Sequence, residues 1–193
     1  SAPLDVKFVQ VPDTEAPKIV YDTKGSYTTK FRAEVKDKTL RISERPDSRR
    51  PDRTEVTVYY NALRAVSLSG AAATFEGTLA AAVLDVTVNR KASLTAKLEV
   101  KDLKMEQTGY STANLSGSVR YLTLYVSTGK VAASDLEVMS AEVNAQSKAE
   151  VSLWITDRFV GKTTTNARIS YKGDPKIVRG GAKFMGGEIN RVE

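Results

Sequence analysis

Ala149-Glu150-Val151-Ser152 is answered eighteen residues later by Ala167-Arg168-Ile169-Ser170. The same phrase comes four times earlier, as Ala73-Thr74-Phe75-Glu76, Ala92-Ser93-Leu94-Thr95, Ala113-Asn114-Leu115-Ser116 and Gly129-Lys130-Val131-Ala132. Each has a small residue, a polar one, an apolar anchor and a polar or small one. The anchors Phe75, Leu94, Leu115, Val131, Val151 and Ile169 stand 19, 21, 16, 20 and 18 residues apart. A period of about 19 residues marks a stacked solenoid, in which each coil completes its core only against its neighbours.

Outward from each anchor the pattern alternates with period 2. Val66 and Leu68, Val86 and Val88, Leu124 and Val126, and Val143 and Ala145 precede anchors, while Leu79, Leu98, Val119, Leu136 and Leu153 follow them. Three short strands per coil is the natural parse. The expected fold is all-β, a single-stranded parallel β-helix, with a rod core on the order of 25–30 Å long at about 4.8 Å per rung. The recurring small residue (Ala73, Ala92, Ala113, Gly129, Ala149, Ala167) belongs at a corner where the walls converge.

Two rivals compete with this reading. Three alanines within Leu79 to Val86 favour a helix, although Gly77 precedes and Val86-Thr87-Val88 follows. Val119-Arg120-Tyr121-Leu122-Thr123-Leu124 opens like a leucine-rich repeat, but Ser127 stands where that phrase needs asparagine, and no repeat has room for a helical return.

One domain over residues 1–193 is expected: an N-terminal β cap or leading sheet over 1–62, coils over 63–175 and a C-terminal cap over 176–193. Five of six prolines lie at or before Pro51, so the first quarter is built differently. Phe31, Ala33 and Val35 alternate before Lys36-Asp37-Lys38, and Leu40 and Ile42 alternate after it, which predicts a hairpin. Val56, Val58 and Tyr60 predict a strand. Gly180-Gly181 and Gly186-Gly187 read as turns.

The chain has no cysteine and no histidine. Disulfides, thiolate metal sites, Ser-His-Asp and Cys-His catalysis are therefore excluded. The charge of +6 is spread as +2 over 1–62, +2 over 63–175 and +2 over 176–193, with acidic residues interleaved. Nucleic-acid binding needs clustered cations and is not expected. The longest apolar run, residues 79–84, is too short to cross a bilayer. Ser1-Ala2-Pro3-Leu4-Asp5 has no initiator Met and no apolar leader, which reads as a trimmed start.

No catalytic, cofactor or metal residues are predicted. The acidic residues of the coils are dispersed, so no facing carboxylate pair of a glycosidase stands out. The candidates are surface-binding groups. Tyr121 and Tyr125 are out of phase with Leu122 and Leu124, and Trp154 lies between Leu153 and Ile155, so all three face outward. Tyr110 and Phe159 complete the aromatic set that could form a sugar platform. Arg49 and Arg50, in the loop 45–53, could grip carboxylate or sulfate, or serve only as a solvated connection beside Asp47 and Asp52.

The residues Leu63-Arg64-Ala65-Val66-Ser67-Leu68-Ser69-Gly70-Ala71, the corner Asp135-Leu136 and the closing Ile169-Ser170-Tyr171-Lys172-Gly173-Asp174-Pro175 resemble the "putative auto-transporter adhesin, head GIN domain" family of Bacteroidetes envelope proteins. That family often repeats Ser-Gly in successive coils. Here it stands at Ser69-Gly70 and Ser116-Gly117 and is replaced by Asn89-Arg90 and Gln146-Ser147. The resemblance implies a right-handed β-helix, export to the cell envelope or beyond, a lipid anchor upstream of this chain, and an adhesive role toward a glycan or a host or matrix protein. A carbohydrate-active β-helix enzyme and a structural spacer are the alternative readings.

Overall fold

A computed structural model describes residues 4–24, 30–45 and 52–193, the side chains of 180–184 excepted. The elements are β1 (Leu4–Gln10), β2 (Lys18–Asp22), β3 (Phe31–Lys36), β4 (Thr39–Glu44), β5 (Thr54–Tyr60) and β6 (Ala65–Ser69). They continue with β7 (Ala72–Asn89), β8 (Ser93–Gln146), β9 (Glu150–Thr164), β10 (Arg168–Lys172), β11 (Ile177–Phe184) and β12 (Glu188–Arg191). The described residues contain no helix. The Leu79 to Val86 segment is strand, within β7.

The chain winds as a β-solenoid of about six turns. Between β7 and β8 the parallel ladder has three segments, 72–74 against 93–95, 78–81 against 97–100 and 83–88 against 102–107, which are three walls of one coil. The very long β8 is thus a winding run, bent at coil corners. Inner walls pair with the coil above and below, which satisfies their backbone donors and acceptors without a local partner.

The ladder corrects the phase of two anchors. Ala73, not Phe75, pairs with Leu94. Ser93 N–H donates to Ala71 O, Thr112 N–H to Ala92 O and Arg168 N–H to Ala149 O, so Thr112 matches Ser93 and Ala113, not Leu115, matches Leu94. The small corner residues in those coils are accordingly Ala71 and Ser111 rather than Ala73 and Ala113. A two-residue slip keeps every side chain on its face, so alternation alone cannot detect it. Val131, Val151 and Ile169 do share one column, which Ile189 continues.

The lumen is solid. Leu79, Leu84, Met105, Leu124, Leu136, Leu153, Ile155 and Ile169 are all less than 2% exposed or nearly so, and stack as aliphatic columns. A void lined by Phe75, Leu79 and Leu103 measures only ≈ 10 Å³, about one water-sized sphere. Ligands have no room inside.

The N-terminal segment is woven into the stack. β1 pairs in parallel with β5 on one side and β7 on the other, and β2 closes on β5 antiparallel. Phe8 stacks on Phe75 with centroids 4.5 Å apart, and Tyr60 meets both edge-on. The predicted strand over Val56, Val58 and Tyr60 is β5, with all three buried. The predicted hairpin is β3–β4, closed by Asp37 and Lys38 at φ 49° and 59°, the two left-handed residues of a type I′ loop. Phe31 is buried and stacks on Tyr21, whereas Val35 at the tip is 73% exposed.

At the other end, β11 pairs in parallel with β9 and β12 with β10, so residues 177–191 add further rungs. Gly180 is part of β11, opposite Gly161, with an irregular register before Lys183. It is therefore not a turn, unlike Gly186, whose φ of 80° lies at a corner.

Candidate functional site

From the second coil on, one corner is turned by two consecutive residues in the left-handed region, whereas the first has Gly70 alone there. The pairs are Arg90-Lys91, Gly109-Tyr110, Thr128-Gly129, Ser147-Lys148, Thr165-Asn166 and Met185-Gly186. Ala92, Ala149 and Ala167 N–H donate to Asn89, Gln146 and Thr164 O at 3.1, 3.0 and 3.2 Å and close the turns. Neighbouring corners are stitched by Lys91 N–H to Gly109 O, Lys148 N–H to Thr165 O and Asn166 N–H to Met185 O. Their side chains project from the outer edge, stacked about 4.8 Å apart.

The fourth corner is one residue short. Three residues separate the last inward residue from the small corner residue between Val88 and Ala92, Gln107 and Ser111, Ala145 and Ala149, and Thr163 and Ala167, but two separate Val126 from Gly129. The first corner, Ser69-Gly70, is also short, but only the fourth lies between two longer ones. Gly129 sits directly over Ser111, where a Cβ would stand 2.3 Å from Ser111 O. Only glycine fits that approach.

The short corner leaves a groove of ≈ 270 Å³ walled by Tyr110 and Thr112 below, Thr128 and Lys130 at its floor, and Ser147, Lys148 and Glu150 above. Tyr110 is 73% exposed. Among the described residues no carboxylate lies within ion-pair distance of Lys130 or Lys148. Beneath the groove, fully buried Gln107 donates from Nε2 to Ser111 O at 2.7 Å and to Lys130 O at 3.0 Å. It bridges the backbones of two coils across the shortened turn, while its Oε1 finds no donor among the described residues.

Of the sequence candidates Tyr110 lines this groove, and the other described ones lie elsewhere. Leu122 and Leu124 are buried, Tyr121 is 39% exposed with the Arg120 guanidinium 5.4 Å from its ring, and Tyr125 is half-buried. Trp154 is half-buried on another wall, with Lys172 Nζ 5.1 Å above its ring. No ring contact joins Tyr121, Tyr125 and Trp154. Phe159 is not a surface group: it is fully buried and packs on Tyr171 at 4.8 Å, because its phase puts it inside. Arg49 and Arg50 lie outside the described residues.

No cluster of three or more metal-ligating side chains exists among the described residues. Among the described residues no helix is long and apolar enough to cross a membrane. Sequence reasoning missed the groove: the 16-residue step from Leu115 to Val131 reflects the two-residue slip at Leu115, and the true step from Ala113 to Val131 is 18 residues, the same as from Val151 to Ile169.

Several solved structures share the fold. A protein from Bacteroides fragilis described as a putative adhesin matches with a TM-score of 0.89 at 18% identity, over 100% of this chain and 89% of that one. A putative adhesin from Parabacteroides merdae matches at 0.73 and 17% identity, with the same coverage. A protein from Parabacteroides distasonis described as a putative lipid binding protein matches at 0.69 and 18%, again over 100% and 89%. Among curated proteins nothing matches. The family profile described as "Putative auto-transporter adhesin, head GIN domain" matches residues 2–175, which covers the N-terminal strands and the coils through Pro175. The chain belongs to that family.

Proposed function

We propose that this chain is a non-catalytic, exported protein of the cell envelope that attaches to a surface ligand, a glycan or a matrix protein, through the outside of its solenoid. A lipid anchor upstream of the chain fits this role. The observation that carries the reading is the solid lumen: aliphatic columns fill the interior, and recognition is left to outward side chains. Family membership supports adhesion as the use to which that exterior is put.

The outward aromatic and cationic groups suit such a role. Tyr121 with Arg120, and Trp154 with Lys172, pair an aromatic face with a cation on different walls, and the short corner adds Tyr110 with Lys148. Aromatic faces cover the apolar faces of sugars, and cations select acidic partners. The test is an array of glycans and matrix proteins probed with the labelled full chain at physiological salt. Retention on at least one class is expected. A blank array would replace adhesion with a spacer role, and release of new reducing ends from a polysaccharide would contradict the non-catalytic reading.

A further inference from the structure

We propose that the groove at the short fourth corner is a binding site for an acidic sugar unit. The proposal rests on the surface-binding reading above and assigns it a place and a ligand chemistry. Tyr110 and Lys148 project from corners two rungs apart, about 10 Å at the ladder spacing, and the corner between them has lost the residue that would fill the gap.

The lining has the three kinds of group that an acidic sugar needs. The exposed Tyr110 ring offers a flat face for the C–H side of a pyranose. Lys130 and Lys148, with no ion-pair partner among the described residues, offer two ammonium groups to a carboxylate or sulfate. Thr112 and Ser147 hydroxyls and the Glu150 carboxylate can exchange hydrogen bonds with sugar hydroxyls. Glu150 does not cancel the charge, because it is one carboxylate against two lysines and lies outside ion-pair distance of both, while Arg168, its ladder partner on the far side, pairs with Glu188. A bare phosphate would leave the ring and the carboxylate unused, and a lipid surface would ask for more apolar area than one tyrosine supplies.

The floor is fixed rather than adaptable. Tyr110 N–H bonds Thr128 Oγ1 at 3.2 Å, which ties one wall to the floor, and Gln107 locks the two coils from inside. A groove already shaped before binding loses little to ordering.

The experiment is calorimetric titration of the full chain with trigalacturonate, a sulfated heparin-derived oligosaccharide of similar length, and neutral maltotriose. At least one acidic probe should bind, weakening with added salt, and maltotriose should bind at least about tenfold more weakly. Which acidic probe wins separates a carboxylated from a sulfated ligand. Tyr110→Asn, chosen because Asn tolerates the left-handed backbone, and Lys148→Gln should each weaken that binding by about tenfold without changing the melting temperature. Equal binding of maltotriose, or silence with both acidic probes, overturns the proposal. So does wild-type affinity in both variants, which would move acidic-sugar binding elsewhere on the exterior and leave the broader reading standing. An array positive only for another ligand class would likewise sink this site alone.

Discussion

Close contacts between coils make some residues irreplaceable. Gly117 at φ 101° lies against Leu98, where a Cβ would be 2.1 Å from the carbonyl oxygen. Gly117→Ala must push two coils apart, and a loss of about 2 kcal/mol or more in urea unfolding is expected. Gly70, the other half of the Ser-Gly resemblance, instead turns the left-handed corner at φ 68°, so one dipeptide serves two different geometries. Phe159→Ala should cost about 3–5 kcal/mol, since the ring is fully buried and its neighbours cannot close the space. Burial pushes the Tyr60 hydroxyl up to about 12, above its ordinary value of 10. The folded state therefore holds the proton more tightly. Stability from this group is full below pH 10 and is lost as pH rises toward 12. Denaturant titrations across that window should show the decline, and Tyr60→Phe should remove that part of it.

The walls and corners differ in how far they could be read beforehand. Alternation reveals inward and outward faces, so the three walls, the β3–β4 hairpin and strand β5 were all legible. It cannot reveal phase, and Phe75 and Leu115 were each placed two residues beyond the true counterparts of Leu94. Gln107 broke the pattern differently: a polar residue in the inward column of Val88 reads as outward until the short corner shows what it bridges. The groove itself depends on the lengths of adjacent corners, which a mean period hides. Corner chemistry also makes a prediction. Arg90 and Lys91 hold left-handed conformations at φ 53° and 62° without the residues that prefer them. Replacing the pair by Asn-Gly should stabilise the chain by about 1 kcal/mol, seen as a higher urea midpoint with an unchanged slope.

The whole molecule is a short stack in which each coil leans on two others. β1, first in sequence, pairs between β5 and β7, a long-range insertion that no local pattern signals. Because stacks of this kind lose order from their ends, amide exchange should be slowest in the central coils and faster in β2, the β3–β4 hairpin and β12. With no usable interior, the proposed recognition falls to a place where the winding departs from its own rule. The most direct measurement is hydrogen exchange of the full chain with and without saturating trigalacturonate. Slowed exchange confined to residues 108–112, 127–130 and 146–150 is the predicted result; protection centred on the hairpin or the stack ends, or no change anywhere, would contradict the assignment of recognition to the short corner.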